Sequence, residues 1–364
     1  MTPLEARPTP LTPRLDEKPW GGRRLERFGL NLPDDVAVGE ALVTAGEATV
    51  SGGPDAGRTL GELVLGDPDL LGLLGAGAVG GRPIFPLLVK LIDATENLSV
   101  QVHPNDAAAA LLGRLGKTEA WHVLAADPGA RLFVGVRPGV SVEQLEEASQ
   151  RKDGSAAELL RVVSAQVGTT VLIPAGTVHA LGAGVVVYEV QQPSDVTFRL
   201  DDWGRVDSQG RSRDLHLEQG LAVTRAVLLP ELIAPVELRS VAGRRHLLAA
   251  CRYFALERIA LNAGDAVPVG AAGSPSVVTL LEGEGGVRAD ADDVSIAAGR
   301  SVVVWPGSPV ATLTATQPLV ALRCWVPDLH EEVVRPAISA AAGAEAIAAL
   351  GGPLDDVRAA MEPR

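Results

Sequence analysis

The stretch FPLLVKLIDATENLSVQVHPNDAAAALLGRLGKTEAW, residues 85–121, holds Lys90, Ser99, Gln101, His103, Lys117 and Glu119. From Leu98 to His103 apolar and polar side chains alternate, so an extended strand puts Gln101 and His103 on one face. Lys117 and Glu119 repeat that spacing. Two such strands facing one cavity bring together an imidazole, a carboxylate, a carboxamide oxygen and an ammonium, which describes a metal site beside a cation. Between them Pro104-Asn105-Asp106 caps an alanine-rich helix expected to run to about Leu115, with Gly116 as its stop.

Downstream, Glu119 to Ala125 and Arg131 to Val136 read as strands around the turn Asp127-Pro128-Gly129. Residues 141–166 switch to helical spacing, with Leu145, Ala148, Leu159, Leu160 and Val163 as the apolar face and a break at Asp153-Gly154, predicting a helical insert. From Thr169 the period returns to two through VVVYEVQQ and TFRL, and a polar loop at 201–213 leads to a short helix around 215–223. Pro230 to Pro235 is the expected boundary, followed by short apolar runs punctuated by Gly and Pro over 251–326, which predict a second small barrel or sandwich. The Ala-rich tail, residues 328–364, predicts one or two terminal helices. Upstream, Met1 to about Pro19 is expected to lie irregularly over the surface, residues 36–50 to form a strand, and residues 59–74 a helix.

With 364 residues and 46% hydrophobic content, the chain is long enough for two or more buried cores. A net charge of −13 argues against nucleic acid as a partner, which needs a basic face. No basic-then-apolar leader and no stretch of about 20 apolar residues occurs, so no membrane association and a cytoplasmic location are expected. Cys251 and Cys324 are expected to be buried, reduced thiols. Only Lys18, Lys90, Lys117 and Lys152 are lysines, and two of them fall in residues 85–121.

His179 follows a Pro-x-Gly turn, and together with Gln101, His103 and Glu119 it makes four candidate ligands. Two imidazoles and a carboxylate with one position open suit catalytic zinc, although two His, Glu and Gln also accept Mn, Fe or Co. His122 is three residues from Glu119 and points to the other face of the same strand, while His216, His246 and His330 have no ligand-like neighbours. Asp195 and Arg199, four apart, share a face if extended, and Arg199 is placed to meet an anionic intermediate while Asp195 orients it.

Gly168, Pro174, Gly176 and His179 resemble the second motif of the cupin superfamily, small β-barrels holding a metal inside. The stretches FPLLVKLIDATENLSVQVHPND from Phe85, GKTEAWHVL from Gly116, VLIPAGTVHALG from Val171 and QQPSDVTFRLDDWGR from Gln191 are similar to successive signatures of the type I mannose-6-phosphate isomerases. Weaker similarity covers residues 19–22, 38–64 and 251–254. Gly39-Glu40-Ala41-Leu42 stands where many members have Gly-Glu-x-Trp. The resemblance implies a mainly β fold of two cupin-like, jelly-roll barrels: a catalytic domain over 1–230, a second barrel over 236–327 without metal ligands, and the helical tail. It implies zinc on Gln101, His103, Glu119 and His179, one per chain because no histidine lies between His246 and His330. Arg199, Lys117 and Asp195 fall at catalytic positions, and Trp20, Lys90 and Ser99 would line the pocket. The implied substrate is a small sugar phosphate, isomerised by proton transfer through an enediol. Lys117 is the leading candidate base, beside His and acidic alternatives. Another cupin aldose-ketose isomerase or epimerase, or a non-catalytic sugar-phosphate binder, remains the alternative; the sequence does not set the oligomeric state.

Overall fold

Alternating burial sorts the strands into four antiparallel sheets in a computed structural model, which describes residues 7–67, 75, 78–206, 209–290, 292–307 and 311–362. A six-stranded sheet runs in the order Thr170–Ile173, Glu119–Ala126, Val185–Gln191, Leu88–Ala94, Val38–Thr44, Arg14–Gly22. Facing it is a five-stranded sheet in the order Phe198–Asp201, Val100–Val102, His179–Leu181, Arg131–Val136, Leu160–Ser164. Trp20, Ile92, Trp121, Val123, Leu132, Val134 and Val187 fill the space between the two. Together they form a two-sheet sandwich of the jelly-roll kind.

The strands Leu88–Ala94 and Val185–Gln191 lack a clean polar alternation because both of their faces are covered. Their outer residues Val89, Leu91, Val186, Tyr188 and Val190 pack in one cluster with Leu256, Leu322 and Cys324 of the second half. That half pairs an eight-stranded sheet with a four-stranded one around Ile259, Val278, Leu280, Val287, Leu313 and Ala321. The expected mainly β, two-barrel organisation is what folds. Both cysteines are free and buried, and among the described residues no helix is long and apolar enough to cross a membrane.

Several local expectations change. The amino-terminal lead is not irregular: Thr9–Thr12 pairs with Ser301–Val304 and with Thr49–Val50, and Leu11 is fully buried. Its backbone groups are satisfied by a strand almost 300 residues away, so nothing local announces the pairing. The boundary expected at Pro230–Pro235 therefore does not cleanly part the sheets. The insert is helical only over Val142–Arg151 and a 3-10 turn Ser155–Leu159, whereas Leu160–Ser164 is a strand paired with Arg131–Val136. Here the β-branched pair Val162-Val163 outweighs the helical spacing. The break itself is where expected: Gly154 has φ +88°, and a Cβ there would sit 2.4 Å from the Trp203 ring.

The helix capped by Asn105 covers only Asp106–Ala110 and gives way to a turn at Gly113. Upstream, a capping box between Thr59 and Glu62 starts a helix over Leu60–Gly66; the remainder of that expectation, 68–74, lies outside the described residues. The tail forms three short helices, Arg335–Ser339, Ala344–Ala349 and Asp356–Ala360, the first continuing a wider turn at Leu329–Val334.

Candidate active site

The five-stranded sheet places three of the expected residues in one row. Gln101 lies directly across from His179 on one side and from Arg199 on the other, so all three project towards the same interior. Opposite them, Glu119 opens its strand beside Gln191 and Ile173. His103 follows just beyond the strand Val100–Val102, where its carbonyl accepts from Gly176 N at 2.8 Å. Both sides therefore feed one point between the sheets.

At that point His103, Glu119 and His179 offer ligand atoms that all lie within 4.8 Å of one another, and all three residues are buried. Nε2 of His103 is 3.4 Å from Glu119 Oε2, and Nε2 of His179 is 3.3 Å from Glu119 Oε1. Each imidazole donates Nδ1–H to a carbonyl, His103 to Val196 at 2.9 Å and His179 to Thr177 at 2.8 Å. A carbonyl can only accept, so both rings are held with the Nε2 lone pair facing Glu119. Burial first, and then Lys117, lowers the His103 pKa to about 3, so the ring is neutral; burial also lowers that of His179. Burial opposes charge on Glu119, but the ammonium of Lys117 beside it holds the carboxyl well below the usual range.

Two neutral imidazoles and a carboxylate form a donor set suited to a divalent transition metal. The His103 Nε2 atom and both Glu119 oxygens are buried without a hydrogen-bond partner, a costly arrangement that a cation would relieve. The residues present fit such an ion. Gln101 is adjacent, its Nε2 at 3.3 Å from His179 Nε2; turning the amide over would present its oxygen instead.

Gln101, next to His179, and Lys117, next to Glu119, carry the site to a cavity of about 350 Å³, which they line with Lys18, Trp20, Glu40, Lys90, Ser99, Trp121, Glu189, Asp195, Arg199 and Arg213. Every expected catalytic and pocket residue reaches it, but two stand otherwise than expected. Lys117 lies 3.0 Å from Glu119 Oε2 and so is engaged as that carboxylate's cation. Asp195 does not orient Arg199: it is exposed and 3.7 Å from Arg114, at the cavity mouth. Arg199 is instead fixed by donation to Asp214 O at 2.9 Å, and its Nε is buried without a partner.

Glu189 and Arg213 were missed. Glu189 accepts from Trp121 Nε1 at 2.9 Å, is buried, and its pKa is pushed up to about 7 by burial first and by the charge of Glu119. A lone carboxylate in the apolar run VVVYEV is itself a signal, since a buried acid needs a reason. Arg213 is turned to the cavity by Asp202, which also holds Arg205 at 2.6 Å. Lys18 and Lys90 share Glu40, at 3.5 and 3.4 Å.

No family model matches the chain. Mannose-6-phosphate isomerase ManA of Bacillus subtilis is 39% identical over 225 residues, covering 60% of this chain and 68% of that protein. The mannose-6-phosphate isomerase of Streptococcus mutans is 38% identical over 223 residues, with the same coverage of 60% and 68%. Among solved structures, the mannose 6-phosphate isomerase of Bacillus subtilis superposes with a TM-score of 0.76 at 29% identity, over 87% of this chain and 99% of that one. A mannose 6-phosphate isomerase bound with zinc and yttrium shares the fold, with a TM-score of 0.67 at 17% identity.

Proposed function

The chain belongs to the type I mannose-6-phosphate isomerase family, and on that premise we propose that it interconverts mannose 6-phosphate and fructose 6-phosphate at the cavity beside His103, Glu119 and His179. The observation that carries this reading is the convergence within 4.8 Å of two Nε2 lone pairs and a carboxylate without hydrogen bonds, beside a cavity lined by cations and by Glu189.

His103, Glu119 and His179, with Gln101 beside them, would hold one zinc ion, which when bound supplies a Lewis acid that polarises oxygen on the sugar. Aldose-ketose exchange then requires ring opening and movement of a proton between C1 and C2 through an enediol. Glu189 is assigned the proton. A carboxyl with a pKa of about 7 is ionised in part of the population at neutral pH and returns the proton readily. Lys117, expected to be the base, is occupied by Glu119 and serves to hold that ligand's charge. Arg199, half-buried and with Nε unpartnered, stabilises negative charge on the enediolate as a fixed donor. Trp20 and Trp121 wall the cavity against water, and Lys90 is held as a cation because Glu189 and Glu40 outweigh its burial. Arg213 and Lys18 give the cavity further positive charge for a phosphate.

A coupled assay across mannose 6-phosphate, glucose 6-phosphate, unphosphorylated mannose and lyxose tests the assignment. Turnover of mannose 6-phosphate should exceed that of the others by orders of magnitude. A preference for lyxose or free mannose would make the chain a different aldose-ketose isomerase, and binding without turnover would make it a sugar-phosphate sensor.

A further inference from the structure

The segment carrying the metal ligands is tied down from outside its own sandwich. Asp106, three residues after His103, accepts at Oδ1 from Gly116 N at 2.9 Å and from Gln192 Nε2 at 3.0 Å. Gly116 directly precedes Lys117-Thr118-Glu119, and it packs so closely that a Cβ would lie 2.6 Å from Asp106 N. Gln192 in turn brackets Thr118, accepting from its N–H at 2.9 Å and donating its own N–H to its carbonyl at 3.1 Å. The same turn leads to Val196, whose carbonyl fixes the tautomer of His103. Asp106 is therefore the knot between the His103 loop, the Lys117–Glu119 segment and the turn behind Asp195.

The other oxygen of Asp106 faces the second half of the molecule. Tyr253, in the turn between strands Arg244–Cys251 and Phe254–Leu261, donates its hydroxyl to Asp106 Oδ2 at 2.6 Å. Its neighbour Arg252 donates through N and Nε to Asp356 of the tail helix at 3.0 and 2.8 Å. Burial first, and then the bond to Asp106, raises the phenol's pKa above its ordinary value, so it stays a donor at neutral pH. These residues lie in the 251–254 stretch, for which the metal chemistry gives no use.

We propose that Tyr253 is a positioning residue: through Asp106 it sets the placement of His103 and of the Lys117–Glu119 segment, so that the second barrel and the tail govern metal retention and turnover at a site they do not touch. The inference rests on the reading of His103, Glu119 and His179 as a metal site. A hydroxyl acting on a carboxylate is among the stronger hydrogen bonds, and its loss is concentrated on one knot.

The test is Tyr253→Phe, which keeps the ring and removes the hydroxyl. Zinc release from the loaded protein to excess chelator should become about tenfold faster, and kcat should fall about tenfold with KM within about twofold. A role confined to stability would lower Tm while leaving zinc release and kcat at 25 °C at wild-type values, and that result overturns the proposal. Should Tyr253→Phe fail to fold, Asp106→Asn takes its place and must show the same pair of changes. Zinc release needs no turnover, so an inactive wild-type chain would sink the substrate assignment while leaving this comparison to be decided.

Discussion

The two sandwiches each bury a carboxylate on an inner strand face, and they treat it in opposite ways. In the second, Glu257 receives Arg245 through two hydrogen bonds at 2.6 and 2.9 Å and Arg323 at 3.3 Å. Arg323 spends its remaining donors on Val269 O, Gly270 O and Ser276, with its guanidinium 3.9 Å from the Trp325 ring centre. Glu257 and Arg323 share a face with Ile259 and Ala321, so this network sits among the second sandwich's own core residues. In the first sandwich, Glu119 leaves both oxygens without hydrogen bonds, His103 leaves Nε2 free, and Lys117 beside them lines a cavity. A buried carboxylate whose oxygens are all hydrogen-bonded fixes a fold; one that has a cation beside it but no hydrogen bonds is a place where something else binds.

The comparison breaks first at Glu257. Glu257→Gln strands the buried guanidinium of Arg323 and the partly buried one of Arg245, and stability by denaturant titration should fall by about 3 kcal/mol while kcat and zinc content of the folded fraction stay unchanged. A loss of turnover larger than the loss of folded protein would show that the second barrel's network takes part in catalysis. Glu189→Gln should do the reverse. Its expected effect is a fall in kcat of about 10²-fold, with the limb of kcat/KM that rises through a pH of about 7 in the wild type removed, because only the ionised carboxyl accepts a proton. A retained limb would return the proton to Lys117 or a histidine.

The smallest effect sharpens the contrast. A carboxyl whose pKa is raised in the folded state binds more protons folded than unfolded between its ordinary value of 4.5 and about 7, so its burial costs stability increasingly as pH rises across that window. Glu189→Gln removes the cost, and the metal-free protein at pH 8 should gain on the order of 1 kcal/mol, a few degrees in Tm. An unchanged or lower Tm would mean that Glu189 is paired for stability after all.

Much of the site is legible in the sequence because its signals are local. The spacing of two between Gln101 and His103 and between Lys117 and Glu119, and the turn before His179, each set a side chain's direction without knowledge of the partner strand. Glu189 is legible only in hindsight, since its strand reads as buried on both faces and no periodicity says which face holds the cavity. The pairing of Thr9–Thr12 with Ser301–Val304 and the bond from Tyr253 to Asp106 join residues 147 or more apart, and contacts of that range leave no trace in a local window. Arg199 lines the cavity, but its neighbour is not the expected one. Its row with Gln101 and His179 comes from sheet register, whereas Asp195 lies in irregular chain ahead of the strand Phe198–Asp201, where a spacing of four no longer means a shared face, and is exposed.

The central claim is that His103, Glu119 and His179 make a functional metal site, and it is tested most directly by titrating zinc into chelator-stripped protein while measuring mannose 6-phosphate isomerisation. The account predicts binding of one zinc per chain, activity that returns in proportion to it, and loss of both in Glu119→Gln. Full activity in the stripped protein, or tight zinc binding that persists in Glu119→Gln, would contradict it.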